Sequence, residues 1–267
     1  MANKQGDFIW YELMTGDADA AQQFYGKILG WKFQDSGQAG MEYRMFSAGD
    51  EGVGGFMVLT DEMTRNGARP CWLGYIAVDD VDASAKSISD AGGAVHMKPW
   101  DIPNVGRIAF VADAQGAMFY IMRPIPPAGN PDATSQAFAA TEPKVGHCAW
   151  NELATSDPDA AAGFYSKQFG WEGNGDMDMG EMGKYTFWKV GDERGFMHAG
   201  MMAKPVEMPV SAWTYYFRVP NIDEAVRTIQ ANGGKTLHDP TEIPGGEFVV
   251  NGVDPQGAYF ALVGKRF

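Results

Sequence analysis

The chain has 267 residues, a formal net charge of −13 and a hydrophobic fraction of 45%. This length favours two domains, and the 21 scattered Lys and Arg residues argue against a nucleic-acid-binding face, which needs clustered basic side chains. No apolar run approaches the ~18 residues of a membrane helix, the N-terminus has no signal-peptide pattern, and two cysteines form neither a metal spacing nor a disulfide framework. We therefore expect a cytoplasmic protein without membrane or nucleic-acid partners.

The first 122 residues predict a strand, a helix and further strands, and then the same order again. The spacing of Ala20, Phe24 and Ile28 predicts the first helix, which Gly30 ends. Asp80 or Asp82 is expected to cap the second helix. Strands are expected at 7–14, 43–49, 52–59, 71–78, 106–113 and 117–123.

The second half of the chain repeats the first. Thirteen of the twenty-two residues in 10–31 recur in 150–171, and the turn motif Asp-x-x-Gly at 113–116 recurs at 254–257. A period close to 140 residues is too long for a solenoid unit and indicates two homologous domains.

Between the repeats lies a segment rich in Pro, Ala and Thr, which predicts an extended linker. We therefore predict one domain at 1–122, a linker at 123–144 and a second domain at 145–267. The predicted fold class is α+β, with two βαβββ modules in each domain forming a curved mixed sheet around a cavity.

These features resemble the vicinal oxygen chelate superfamily, which includes glyoxalase I, extradiol dioxygenases and bleomycin-resistance proteins. The resemblance rests on the paired βαβββ modules, the helix motif Asp…Phe-Tyr…Gly-Trp and the turn Asp-x-x-Gly before the last strand. Two halves that each open with Trp-x-Glu-Leu resemble, more narrowly, a two-domain glyoxalase-like subgroup. The resemblance implies the fold strongly and the reaction weakly.

Metal-dependent members of that superfamily hold the metal with His, Gln or Glu at fixed strand positions. The resemblance places those positions on Trp10, Met57, Leu73 and Tyr120 in the first domain and on Trp150, Met202, Thr214 and Ala261 in the second. Such side chains do not supply the two histidines and one carboxylate of an iron site, or the His and Glu set for Zn or Ni. We expect no metal and no cofactor, and we interpret the four histidines as structural or surface residues.

The Trp-x-Glu pairs are the candidate functional groups. Residues two apart in a strand share a face, so Trp10 lies with Glu12 and Trp150 with Glu152. The resemblance implies that this face points into the cavity. Desolvation there would raise the pKa of a carboxylate, which would suit it to act as a general base. The alternative is a structural or ligand-anchoring glutamate, which its presence in both repeats supports. Catalysis by Glu12 and Glu152 is the hypothesis to be weighed.

The same alternation of side chains along a strand predicts further ligand-binding residues. For each of them, ordinary core packing is the alternative. Methionine is abundant, at 16 residues, and suits an adaptable apolar pocket. His198 and Cys148 are expected near the second cavity. The predicted ligand-binding set is Trp10, Tyr75, Met118, Tyr120, Trp150, Trp188, Met202 and Tyr216.

Three functions follow, in order of preference. The first is a detoxifying or sequestering protein that binds a small, largely apolar molecule in an aromatic cavity without a metal. The second is a lyase or isomerase of the lactoylglutathione lyase type that uses a Glu base. The third is a metal-dependent dioxygenase, disfavoured because the ligand positions lack metal donors. Whether the chain is an enzyme stays open at this stage, as does the choice between a monomer acting as an internal pseudo-dimer and a homodimer.

Overall fold

A computed structural model describes residues 3–37, 42–139 and 141–267. Position 140 of the predicted linker lies outside the described residues. Two mixed sheets follow the two sequence repeats. The strands of the first sheet are β1 (Phe8–Thr15), β2 (Lys32–Asp35), β3 (Tyr43–Ala48), β4 (Glu51–Val58), β5 (Cys71–Ala77), β6 (Ala94–Ile102), β7 (Gly106–Ala112) and β8 (Met118–Pro124). Their order is β2-β3-β4-β1-β5-β8-β7-β6.

The second sheet repeats this order. Its strands are β9 (Cys148–Thr155), β10 (Trp171–Asp178), β11 (Lys184–Val190), β12 (Met197–Ala203), β13 (Ala212–Asn221), β14 (Lys235–Thr236), β15 (Thr241–Ile243), β16 (Glu247–Val253) and β17 (Tyr259–Lys265). They follow the order β10-β11-β12-β9-β13-β17-β16-β14, and β15 pairs with β16. The α+β class and the tandem mixed sheets predicted from the sequence are confirmed.

In the described part of the chain, five α-helices connect these strands: α1 (Ala18–Leu29), α2 (Asp61–Arg65), α3 (Val81–Asp90), α4 (Pro158–Phe169) and α5 (Ile222–Ala231). Asp17 and Asp157 cap α1 and α4 by accepting a backbone N–H three residues on. Asp80, not Asp82, caps α3. Gly30 ends α1 with a φ of 70°, a left-handed conformation that glycine adopts without strain. Within the described residues no helix is long and apolar enough to span a membrane.

The chain forms two compact units, and each unit takes segments from both repeats. Unit 1 contains 1–9, 74–135 and 150–213, and unit 2 contains 10–73, 136–149 and 214–267. Part of the predicted linker is anchored, since Ala137 is buried and its carbonyl accepts the N–H of Cys148 at 3.0 Å in unit 2.

A buried Trp–Tyr–Asp chain joins the two repeats inside each unit. In unit 2, Trp72 Nε1 donates to Tyr25 Oη at 3.1 Å, and Tyr25 donates to Asp254 Oδ2 at 3.0 Å. Asp254 also accepts the turn N–H groups of Gln256 and Ala258, so the Asp-x-x-Gly turn and the Phe-Tyr helix motif bond to each other. This hydrogen bond adds to the helix packing that the motif predicted.

Unit 1 contains the matching chain. Trp213 Nε1 donates to Tyr165 Oη at 2.9 Å, and Tyr165 donates to Asp113 Oδ2 at 3.0 Å. Burial raises the pKa of Asp113, and the hydrogen bonds that it receives from the turn and from Tyr165 oppose that rise. Each chain therefore satisfies polar atoms that burial would otherwise leave unpaired.

Candidate functional site

Unit 1 contains a second Trp–Tyr–carboxylate chain, which we call the Glu152 chain. Trp150 Nε1 donates to Tyr185 Oη at 2.7 Å, and Tyr185 donates to Glu152 Oε2 at 2.9 Å. Trp150 and Glu152 are half-buried, while Tyr185 is buried. The sequence placed Trp150 and Glu152 on one face of the first strand, and the structure links them through a tyrosine from another strand.

Strand order brings this tyrosine into place. Strand β12 lies between β9 and β11, and its Gly200 pairs with Glu152 on one side and with Phe187 on the other. A Cβ at Gly200 would lie 1.9 Å from Tyr185 Oη, so the phenol occupies the space that any other residue would fill. Glycine is required here because the ring lies directly over the backbone.

Aromatic and sulfur-containing side chains surround the Glu152 chain. The Phe187 ring lies 6.2 Å from that of Trp150 and 5.3 Å from that of Tyr185. Met202 pairs with Tyr185 across the strands, so both side chains lie on the same face. The result is an apolar face that carries one anchored carboxylate.

The electrostatics keep Tyr185 protonated. Burial, and next the negative charge of Glu152, raise the pKa of the Tyr185 phenol well above its ordinary value of 10.0. Tyr185 is therefore a neutral hydrogen-bond donor across the physiological pH range. Its bond to a carboxylate belongs to the stronger, charge-assisted class.

Unit 2 contains the matching residues from the first repeat. Trp10 Nε1 donates to Tyr43 Oη at 2.7 Å. A Cβ at Gly55, which pairs with Glu12, would lie 2.3 Å from Tyr43 Oη. Glu12 is only 2% exposed, in contrast to Glu152. Burial and the charge of Glu12 raise the pKa of the nearby Cys71 thiol to about 12, so this thiol is not a reactive nucleophile.

The other predicted ligand-binding residues fall in several places. Tyr75 and Tyr120 stack at 4.4 Å in unit 1, and Met118 at the start of β8 is 41% exposed. Tyr216 is buried in unit 2, where it pairs with Ala261. Their role in binding stays a prediction.

Trp188 does not share the face of the Glu152 chain. Strand alternation places Trp188 opposite to Tyr185 and Phe187, and it pairs with Ala199 rather than Gly200. Its counterpart Phe46 stacks on Trp31 at 3.9 Å in the core of unit 2. The structure therefore places Phe187, not Trp188, beside Trp150.

His198 and Cys148 both belong to the cores of their units. The His198 ring is 1% exposed and packs edge-on against Trp171 at 4.5 Å. Burial lowers its pKa from 6.5 to about 3. Cys148 is fully buried in unit 2, where its backbone bonds to Ala137. These contacts place both residues in packed cores, and the expectation that they lie near the second cavity stays a prediction.

Sequence reasoning missed the two tyrosines and the two glycines beneath them. Tyr43 and Tyr185 occupy matching places in the repeats, as do Gly55 and Gly200. The repetition of both residue types could have revealed the contact, because a glycine that recurs inside a strand indicates close approach by another group.

The residues at the superfamily's metal positions do not fit a metal. The first-strand position is Trp150 in unit 1 and Trp10 in unit 2, and each indole N–H already donates to a tyrosine. Among the residues that the structure describes, no three of His, Cys, Asp and Glu are grouped so that they could hold a metal ion. Indole and thioether groups are not ligands that hard divalent ions prefer.

Comparison with known proteins is consistent with this fold. The model of the Glyoxalase/Bleomycin resistance protein/Dioxygenase superfamily matches residues 8–121 and 144–262. CFP32 of Mycobacterium tuberculosis, a candidate glyoxylase by its name, is 33% identical over 264 residues, covering 97% of this chain and 95% of that protein. The anthracycline biosynthesis protein DnrV of Streptomyces peucetius is 30% identical over 274 residues, covering 96% of this chain and 92% of that protein.

Solved structures show the same fold at low sequence identity. The Mn(II)-bound glyoxalase from Novosphingobium aromaticivorans superposes with a TM-score of 0.64 at 14% identity, covering 98% of this chain and 83% of that one. The 2,3-dioxygenase LapB from Pseudomonas sp. KL28 gives a TM-score of 0.63 at 12% identity, with coverage of 98% and 94%. Two family matches across both halves, together with full-length relatives, establish that this chain belongs to the glyoxalase/bleomycin resistance protein/dioxygenase superfamily.

Proposed function

We propose that this protein binds a small, flat and largely apolar molecule on the face that carries the Glu152 chain, and that it does so without a metal. The observation that carries the proposal is the half-buried Glu152 carboxylate, held by Tyr185 beside the half-buried rings of Trp150 and Phe187. Such a face offers stacking surface and one fixed acceptor, a combination common in small-molecule sites.

The hydrogen-bond pattern favours binding over proton abstraction. Tyr185 donates a hydrogen bond to Glu152 and accepts one from the indole N–H of Trp150, so the carboxylate is held in one orientation. An oriented carboxylate is a good acceptor for a ligand hydroxyl or N–H group. Detoxification by sequestration is the role that this chemistry supports.

The relatives point to a similar class of ligand. One of them, DnrV, is named an anthracycline biosynthesis protein, and an anthracycline is a flat, polycyclic aromatic compound with hydroxyl and carbonyl groups. A ligand of this shape matches a face built from indole, phenyl and thioether groups.

A fluorescence titration tests the proposal. We expect 1,8-dihydroxyanthraquinone to quench tryptophan fluorescence saturably, with equal affinity before and after treatment with a chelator. Glu152→Gln should weaken binding about tenfold, since it removes a charged acceptor. Asp159→Asn, an exposed change on α4, is the matched control and should have no effect. Absence of saturable quenching, or its loss on chelation, would contradict the proposal.

A lyase or isomerase of the lactoylglutathione lyase type is the second candidate. One observation favours it: a carboxylate and a neutral phenol lie 2.9 Å apart, and such a pair could take a proton beside a carbonyl and support the resulting oxyanion. Turnover of methylglyoxal with glutathione tests it. If a Glu12→Gln/Glu152→Gln double variant keeps full turnover, the glutamate-base mechanism is excluded.

A further inference from the structure

Unit 1 also contains a cavity that is lined by residues outside the Glu152 chain. Its volume of about 640 Å³ falls within the range of small-molecule sites. Its walls come from the N-terminal segment, the connection between β5 and α3, the end of α4 and the end of β11. None of the lining residues belongs to the Glu152 chain or to the Phe187 ring beside it, so this cavity needs an account of its own.

The side chain of Gln5 holds three walls of this cavity together. Its Nε2 donates to the carbonyl oxygen of Gln168 at 2.9 Å, and its Oε1 accepts the backbone N–H of Asp79 at 2.8 Å. Gln168 Nε2 in turn donates to the carbonyl oxygen of Ser87 at 3.4 Å, which joins α4 to α3. The walls are therefore fixed by hydrogen bonds within the protein, and a ligand would meet a largely preformed site.

Four charged side chains line the cavity, and two of them are already paired. Asp192 accepts a hydrogen bond from Arg194 Nε at 2.9 Å, and Lys4 Nζ lies 3.6 Å from Asp192 Oδ2. The Lys167 ammonium and the Asp79 carboxylate form no ion pair or side-chain hydrogen bond with any residue in the described part of the chain. One positive and one negative group are thus left to contact a ligand.

The rest of the lining combines amide groups with apolar surface. Asn3 Nδ2 is a donor and Gln168 Oε1 an acceptor, and neither atom bonds to a residue that the structure describes. A peptide bond offers the complementary acceptor and donor. The buried side chains of Phe169 and Val190 add apolar contact area. A short peptide with a free ammonium and a free carboxylate matches each of these groups.

The matching place in unit 2 lacks the two available charges. Pro220 stands where the first repeat has Asp79. Lys27 matches Lys167, but its Nζ donates to Asn232 Oδ1 at 2.6 Å. The pair of available charges is therefore not a feature of the repeated scaffold.

We propose that this cavity binds a short peptide in its zwitterionic form, with the peptide ammonium beside Asp79 and the peptide carboxylate beside Lys167. Complementary charges at the two ends of a ligand fix its direction in the site. The proposal does not depend on the function proposed for the Glu152 chain, because the two sites share no residue.

Three probes that differ in one charge test the site by isothermal titration calorimetry of the full-length protein. We expect L-alanyl-L-alanine to bind saturably. The N-acetyl dipeptide lacks the ammonium and the dipeptide amide lacks the carboxylate, and each should bind about five- to tenfold more weakly. Added salt should weaken binding of the dipeptide, because exposed charges are screened.

Two variants assign the two charges. Asp79→Asn should weaken dipeptide binding about five- to tenfold and should no longer distinguish the dipeptide from its N-acetyl form, while the amide still binds more weakly. Lys167→Gln should instead abolish the discrimination against the amide alone. Both side chains are exposed, so urea unfolding should be unchanged in either variant. Lys27→Gln, at the matching position of unit 2, is the control and should keep all three affinities.

The proposal would be overturned if the dipeptide showed no saturable binding or if the three probes bound with equal affinity. It would also be overturned if each variant weakened all three probes by the same factor, because the charges would then have no assigned partner. Quenching by 1,8-dihydroxyanthraquinone should be unchanged in Asp79→Asn and Lys167→Gln. Failure of the peptide site would therefore leave the function proposed for the Glu152 chain standing, and the reverse also holds.

Discussion

Unit 1 contains two hydrogen-bonded Trp–Tyr–carboxylate chains, whose side chains are exposed to solvent to different degrees. In the core chain, Trp213 donates to Tyr165 and Tyr165 to Asp113, and both the tyrosine and the aspartate are buried. In the Glu152 chain the order of groups is the same, but the indole and the carboxylate at its ends are half-buried.

The difference shows that hydrogen-bond geometry alone does not identify a site. The Asp113 carboxylate accepts hydrogen bonds from a turn and from a buried phenol, and its role is structural. A carboxylate with the same phenol partner and an accessible surface can also receive a ligand. Exposure separates the two roles, and the following changes should separate them experimentally.

The largest effect is expected from Tyr165→Phe in the core chain. Removing the hydroxyl leaves the Asp113 carboxylate and the Trp213 indole N–H buried without this partner, which should cost about 2–4 kcal/mol of unfolding free energy. Urea unfolding measures the loss, and Tyr25→Phe in unit 2 should show a similar one. A loss below that of Tyr185→Phe would contradict the structural role of the core chain.

Gly200→Ala should displace the tyrosine of the Glu152 chain. The new Cβ would lie 1.9 Å from Tyr185 Oη, and overpacking of this kind costs about 1–3 kcal/mol. We expect lower stability together with weaker quenching by 1,8-dihydroxyanthraquinone. Gly163→Ala, on a helix with nothing near the new methyl group, is the matched control and should not destabilise the protein.

His198→Val should change how the stability of the protein depends on pH. The folded pKa of about 3 lies below the unfolded value of 6.5, so between these values the unfolded chain binds a proton that the folded chain does not. Stability is therefore lost as pH falls below 6.5, by about 2 kcal/mol between pH 7 and pH 5 from this group. Valine, the residue at the matching buried position 53, should remove that loss.

Urea unfolding of both proteins at pH 7 and pH 5 checks this prediction. An equal fall in stability for wild type and His198→Val would show that other groups cause the acid sensitivity. His96→Val, at an exposed histidine in the same unit, serves as the control.

Tyr185→Phe should have the smallest effect on stability, about 1 kcal/mol, because water can reach the half-buried Trp150 and Glu152. The affinity for 1,8-dihydroxyanthraquinone should fall about fivefold, a larger effect on binding than on the stability of the fold. Fluorescence titration and urea unfolding of the same sample compare the two effects. A stability loss as large as that of Tyr165→Phe would remove the distinction between the chains.

The sequence predicted the repeats, the strand order within each module and a capping aspartate at the start of α3, because these depend on local spacing and on capping residues such as Asp80. It also predicted that Trp150 and Glu152 share a face, since strand alternation is a local rule. It did not predict Tyr185, which is 33 residues from Glu152 and meets it only through the order of three strands.

Trp188 illustrates another limit of sequence patterns. An aromatic residue on an inner strand looks the same in sequence whether it faces the core or the site, and a one-residue change of register reverses its face. Sequence could not separate it from Phe187, because both are large, aromatic and adjacent. The exposure of Glu152 compared with Glu12 was equally hidden, since it depends on packing from distant segments.

Each unit takes its core tyrosine from one repeat, and the aspartate that accepts the hydrogen bond of this tyrosine comes from the other repeat. An ancestor with a single repeat would satisfy these bonds only by pairing two identical polypeptides that exchange the partners. In such a homodimer every substitution appears twice, and a change useful on one side is imposed on the other. A single polypeptide with two repeats is free of that constraint, so matching positions can hold different residues, such as His198 in one repeat and Val53 in the other.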